Sequence, residues 1–304
     1  MNNPEYILNV LWIDDEPQDG FIKFAFNQKH IKIEVTTCVD EGLELLQDRD
    51  KIFDAIILDA NCVIKRNDAV PQLDALTYAI INLYRLRIEI PWFVYTAGGE
   101  RWKDVLPYLI PKDTPWLKRQ YYDKPNDAEE LLDDIRDVVS QFQATKIKQK
   151  YPDIFQIYKG QDLVDLLIEM HNSDAFSRDN NIPNKVRQIT DFICDYMSKI
   201  EIVPFDFEPS RITEHSKFIG KKEMNEIIPL HIQRLMFFLV DYSNNGSHRF
   251  LQITELIRSG NAPYLNIVAV YALLNILQWL SSLPPIDSDE MDLIKIKAAH
   301  ISIK

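Results

Sequence analysis

Apolar runs punctuate the first half of the chain, and each stops on a residue that carries chemistry. Residues 7–13 run into Asp14 and Asp15, Ala55–Leu58 runs into Asp59, and 92–95 run into Thr96. A shorter pair, Tyr121 and Tyr122, leads to Lys124 and Pro125. Short unbroken apolar runs separated by helix-length segments are the pattern of strands buried on both faces of a parallel sheet. The pattern predicts strands at 7–13, 31–36, 52–58, 90–95 and 121–122. Between them it predicts helices at 20–30, 40–48, 75–87, near 101–110, and at 127–142. Asp127, with Glu130 three positions on, predicts an N-cap with a capping box. Strict alternation of strand and helix predicts an α/β domain, a (βα)5 doubly wound parallel sheet with helices on both faces. Ligands bind such a sheet at the carboxyl ends of its strands, where the acids, the hydroxyl and the lysine all fall.

After a polar, basic stretch at 145–150, read as a helix end or short linker, the period changes. Apolar residues recur at helical spacing over Gln161–Asn172, 184–200, 230–242 and 264–280. Residues 202–222 contain proline and read as irregular, and 293–304 read as an edge strand or a frayed helix. The expected organisation is a domain over 1–145 followed by a mainly α-helical bundle over 146–304. A length of 304 residues accommodates two domains.

Charge narrows the partners. Residues 1–145 hold 16 basic against 26 acidic side chains and the remainder 18 against 20, so neither domain is basic. Nucleic acid is therefore not an expected partner. Cys38, Cys62 and Cys194 lie far apart with no C-x-x-C pairing, which excludes a disulfide framework or zinc site and fits reduced thiols. Residues 259–286 carry no charge, yet Asn266, Asn275, Gln278, Ser281 and Ser282 interrupt them, so a buried helix is expected in place of a membrane span. The opening Met-Asn-Asn-Pro-Glu lacks the basic region of a signal peptide. The expectation is a soluble cytoplasmic protein.

Asp14, Asp15 and Asp59 would bring three negative charges to one crevice, which calls for a cation. All-oxygen ligands suit Mg²⁺ or Mn²⁺, ions that share their coordination with a phosphate. Lys124 by charge and Thr96 by hydrogen bond would hold phosphoryl oxygens. A carboxylate beside such a clamp is a candidate nucleophile for phosphoryl transfer.

With these residues in this order, the stretch 6–142 resembles the receiver domain of two-component response regulators. The resemblance implies Asp14 and Asp15 as the metal-binding acid pair and Asp59 as the phosphoacceptor. It implies Asn61 as the donor of a backbone carbonyl to the metal, Lys124–Pro125 as the Lys-Pro pair, usually cis, and Thr96 with Tyr121 as the switch pair. Its partners would be a histidine kinase or phosphotransfer protein. The 37 residues from Asp59 to Thr96 and the 28 from Thr96 to Lys124 exceed the family's usual intervals; the loop 63–72 and the segment 100–119 look enlarged. The same residues also allow a salt-bridged network without phosphorylation, a degenerate receiver acting only as a binding module.

In the second half, the cluster from Ser243 through Asn245, Gly246 and His248 to Arg249 stands between two apolar helices. It resembles, in part, HEPN-type helical domains, some of which are ribonucleases, with Asn245 and His248 as candidate site residues. The arginine those domains carry a few residues before the histidine is replaced here by Asp241, Tyr242 or Ser243. The other reading is a turn with a helix C-cap at Gly246. The expected function is a response regulator phosphorylated on Asp59, controlling an α-helical output that binds a protein partner or a second copy of the chain. A receiver-gated HEPN-like ribonuclease is the alternative.

Overall fold

The computed structural model describes residues 6–48, 51–68, 70, 74–97, 102, 104–110, 114–203, 212–247 and 251–302. The chain forms two compact units, Met1–Pro152 and Asp153–Lys304.

The first unit is built on strands β1 (Leu8–Ile13), β2 (Ile31–Thr36), β3 (Ala55–Leu58), β4 (Trp92–Thr96) and β5 (Tyr122–Asp123). All pair in parallel in the order β2-β1-β3-β4-β5, the flavodoxin-like arrangement of an α/β domain. Helices α1 (Asp19–Lys29), α2 (Val39–Leu45), α3 (Ala75–Arg85), α4 (Leu106–Leu109), α5 (Ala128–Val139) and α6 (Gln143–Lys150) connect and cover it.

The two-residue period of the strands deals their side chains to two cores. Leu11, Ile13, Ile56, Leu58, Trp92 and Val94 pack with Val39, Leu76, Ile80 and Leu106. Val10, Trp12, Ile57, Phe93, Tyr95 and Tyr122 pack on the other face with Phe21, Leu131 and Ile135. Burial on both faces is why these strands read as continuous apolar runs.

Several expectations change. The helix expected over 127–142 stops at Val139, and α6 is a separate helix that belongs to the first unit. Lys148 explains its placement: its ammonium lies 2.7 Å from Asp54, with side-chain exposures of 2% and 0%. Asp54 also accepts hydrogen bonds from the Tyr6 hydroxyl at 2.9 Å and the Asn9 N–H at 2.8 Å. The capping box does not form. Asp127 sits at φ −97°, ψ 18° and accepts the Asp123 N–H at 3.0 Å, while Glu130 pairs with Arg119. Near 101–110 the described helix is the single turn of α4.

The second unit contains α7 (Pro152–Ile157, which begins at the boundary), α8 (Gln161–Asn172), α9 (Ile182–Lys199), α10 (Ile212–Ile219), α11 (Leu230–Ser247), α12 (Leu251–Ser259), α13 (Leu265–Ser281) and α14 (Asp289–Ser302). Helices α9, α11 and α13 pack on one another, and Ile189, Ile193, Met236, Leu239, Leu273 and Ile276 on them are buried. Within the span expected to be irregular, Ile212, Phe218 and Ile219 bury one face of α10. The C-terminal segment is helical from Asp289, with Met291 and Ala298 buried two turns apart, so it is neither an edge strand nor frayed over the described residues. Gly246 lies inside α11 and is no C-cap. Among the described residues, no helix is long and apolar enough to cross a membrane.

Candidate functional site

The loops after β1 and β3 leave the sheet on either side of the point where strand order reverses, which opens the crevice of a doubly wound sheet. Backbone bonds fix the rim. The Asp14 N–H donates to the Thr36 carbonyl at 2.9 Å, the Asp59 N–H to the Ile13 carbonyl at 2.9 Å, and the Lys124 N–H to the Thr96 carbonyl at 3.0 Å. Asp14, Asp59 and Lys124 are thus each placed by the strand beside them. The Lys124–Pro125 peptide is cis.

Asp14, Asp15 and Asp59 each present a carboxylate oxygen, and these oxygens all lie within 4.8 Å of one another. The Lys124 ammonium pairs with Asp14 and lies 3.1 Å from Asp59 Oδ2. Asp14 is fully buried, and the Lys124 and Asp59 side chains are 8% and 10% exposed. Burial raises the Asp14 carboxyl above the ordinary carboxylate range, a shift reinforced by Asp59 and opposed by Lys124 and the Glu16 N–H. Burial raises Asp15 too, with Asp59 and Glu16 adding repulsion. Among the described residues one ammonium, that of Lys124, stands against the three acids, which leaves part of their negative charge uncompensated. An all-oxygen donor set so close together, and costly to keep ionised, fits a hard divalent cation.

Thr96 is buried at the end of β4, its hydroxyl 3.4 Å from the Ala97 carbonyl. The Asn61 N–H turns back to Asp59 Oδ1 at 3.3 Å. That loop is tied to the start of α2, since the Val39 and Asp40 N–H groups donate to the Val63 and Ile64 carbonyls at 3.0 Å each. Tyr121 lies one residue before β5, half-buried against the core that holds Val94, Leu106 and Ile110. Tyr122 is fully buried, its hydroxyl donating to Asp134 at 2.6 Å.

Two residues that sequence reasoning did not single out stand under the lysine. The Lys124 ammonium is 5.6 Å from the Trp12 ring centroid and 5.5 Å from that of Tyr95. In the sequence both are merely apolar members of strands. Cys62 lies close enough to the three acids to feel their charge. Burial, with the charges of Asp15, Asp59 and Asp14, pushes its thiol up to about 12. Cys38, Cys62 and Cys194 are free and buried.

In the second unit, His248 lies outside the described residues, and only the backbone of Asn245, in α11, is described. Its neighbour Asn244 accepts from Arg187 at 2.8 Å and donates to the Thr213 hydroxyl at 3.0 Å, joining α9, α10 and α11.

No protein-family profile matches the chain. Part of it is similar to the UDP-glucose 6-dehydrogenase of Campylobacter jejuni, at 29% identity over 119 residues. The match covers 39% of this chain, and the chain spans about a quarter (26%) of that relative's length.

Proposed function

We propose that the first unit is a receiver domain of a two-component response regulator, phosphorylated on Asp59 by a histidine kinase or phosphotransfer protein. One observation carries the reading: three carboxylates within 4.8 Å of one another and a buried lysine 3.1 Å from Asp59, all on the C-terminal edge of a 2-1-3-4-5 sheet.

In this reading Asp14, Asp15, Asp59 and the Asn61 carbonyl would hold Mg²⁺ or Mn²⁺, which supplies positive charge opposite the phosphoryl oxygens when bound. An Asp59 carboxylate oxygen attacks phosphorus in line with the donor. A new P–O bond forms as the P–N bond of phosphohistidine breaks, and its electron pair leaves on the imidazole. Lys124, already aimed at Asp59, meets the charge on the transferred group. Thr96 donates its hydroxyl to a phosphoryl oxygen, and its displacement frees space into which Tyr121 repacks. That local event biases the surface around α4 and β5. The helical unit is then the output, acting on a protein partner or a second copy, and the location is cytoplasmic.

The partial likeness to a dehydrogenase brings no activity with it. A dinucleotide-binding turn needs G-x-G-x-x-G after the first strand, where this chain has Asp14, Asp15, Glu16 and Pro17. Incubation with acetyl phosphate and Mg²⁺ is expected to add one phosphoryl group by intact mass, and Asp59→Asn to abolish it. A wild-type chain that stays unmodified would refute the proposal.

A further inference from the structure

Trp12, Phe21 and Tyr95 form an aromatic cluster directly beneath the acid pocket. The Trp12 and Phe21 centroids are 5.0 Å apart, edge to face; Phe21 and Tyr95 stack at 5.0 Å; Trp12 and Tyr95 lie 6.2 Å apart. Trp12 and Tyr95 are essentially inaccessible to solvent, at 0% and 1% exposed. The Trp12 indole N–H and the Tyr95 hydroxyl are buried without a hydrogen-bond partner among the described residues. An apolar layer that leaves two polar atoms unpaired is a costly way merely to fill space. Aliphatic side chains would fill it without that penalty. What the two rings offer beyond volume is a pair of π faces, and the Lys124 ammonium lies over both, within the range of cation–π attraction.

We infer that Trp12 and Tyr95 are positioning residues for Lys124: an aromatic floor that holds its ammonium at Asp59 independently of the carboxylates beside it. The inference rests on the receiver reading for the consequence of that placement, phosphoryl transfer, but not for the placement itself. The point is electrostatic. Among the described residues the charged groups against the ammonium are Asp14 and Asp59, which are also the acids suited to a cation, and a cation drawn to them weakens their hold on the lysine. Two π faces remain. They keep a long, flexible side chain pointed where the transferred phosphoryl group will stand, so less rotamer freedom is lost during the reaction.

The test separates placement from chemistry. In wild-type protein the Lys124 ε-methylene proton resonances, assigned through Lys124→Arg, should be shifted upfield by the ring currents of Trp12 and Tyr95. Tyr95→Leu should move them toward the ordinary lysine position, whereas Tyr95→Phe, which keeps the ring, should leave them in place. Phe21→Leu serves as the packing control. It removes a ring from the same cluster, but no cation–π contact joins Phe21 to the ammonium among the described residues. Phosphorylation by acetyl phosphate should slow about thirtyfold in Tyr95→Leu, the scale set by a desolvated cation–π contact. Tyr95→Phe and Phe21→Leu should stay close to wild type in rate, with Mg²⁺ affinity unchanged throughout.

An unshifted lysine signal in the wild type would overturn the inference even if Tyr95→Leu failed to fold. So would equal slowing by Phe21→Leu and Tyr95→Leu, which would show that packing alone is at work. A shifted signal in a wild-type protein that acetyl phosphate does not modify would support the placement and refute the receiver reading.

Discussion

Replacing Lys148 by methionine removes the cation from the buried pair at the foot of the sheet while keeping most of the side chain's volume. The exposed fractions of Lys148 and Asp54, 2% and 0%, mean that water does not screen the pair or replace a lost partner. Removing one partner of such a pair costs about 3–5 kcal/mol, because the other charge stays buried. Asp54 keeps the Tyr6 hydroxyl at 2.9 Å and the Asn9 N–H at 2.8 Å, so the lower end, about 3 kcal/mol, is expected. For a unit of this size that corresponds to a fall in melting temperature of roughly 6–12 °C. Urea unfolding of the full chain followed by tryptophan emission suits the measurement. Trp12, Trp92, Trp102 and Trp116 lie in the first unit and Trp279 in the second, so the signal is weighted toward the unit being perturbed. Adding Asp54→Asn should recover a large part of the loss, since no charge is then left unpaired. A single variant that costs under about 1 kcal/mol, or a double variant no more stable than the single, would refute the reasoning.

Two further outcomes follow from other contacts. Burial raises the Asp14 and Asp15 carboxyls above the ordinary carboxylate range. A carboxyl raised on folding favours the fold below its unfolded value and withdraws that support as pH climbs through the folded value. In chelator, the stability of wild type relative to the Asp14→Asn, Asp15→Asn double variant should therefore fall as pH rises from 4 to neutrality. At the proposed metal site Mg²⁺ would take the ionised acids, so its stabilising shift should grow over the same window. A pH-independent Mg²⁺ shift in calorimetry would contradict this. In the second unit, the Asn266 side chain donates to the Phe176 carbonyl at 2.7 Å and the Asp179 carbonyl at 3.1 Å, and accepts from the Tyr242 hydroxyl at 2.7 Å. Asn266→Ala should cost about 1–3 kcal/mol in chemical denaturation, because the Tyr242 hydroxyl is left buried without this partner.

The sheet was legible because strands buried on both faces cannot hide: Ile31–Thr36 was read at its observed bounds, and the other strands within a few residues. The pocket was legible for the same reason, since each acid sits one or two positions past an apolar run. What stayed hidden depends on partners remote in sequence. Lys148 looked like part of a solvated linker, and only Asp54, 94 residues away, makes it a core residue. The role of Trp12 and Tyr95 needs the lysine that β5 delivers above them. Asp127 and Glu130 matched a capping box in spacing, but Asp123 and Arg119 supplied competing partners. α14 was obscured because its apolar residues alternate with lysines, as in a strand, while the pair that is actually buried lies seven residues apart.

The burial of all three cysteines has a practical consequence for chemical labelling. Thiolates, not thiols, react with maleimides, and burial raises the Cys38, Cys62 and Cys194 thiols above their ordinary value, Cys62 to about 12. At neutral pH the folded chain therefore offers almost no reactive sulfur. Tyr108 on α4 is 90% exposed, so Tyr108→Cys would introduce one fast-reacting thiol against a silent background. A fluorophore attached there would report on the α4 surface with every native cysteine still in place.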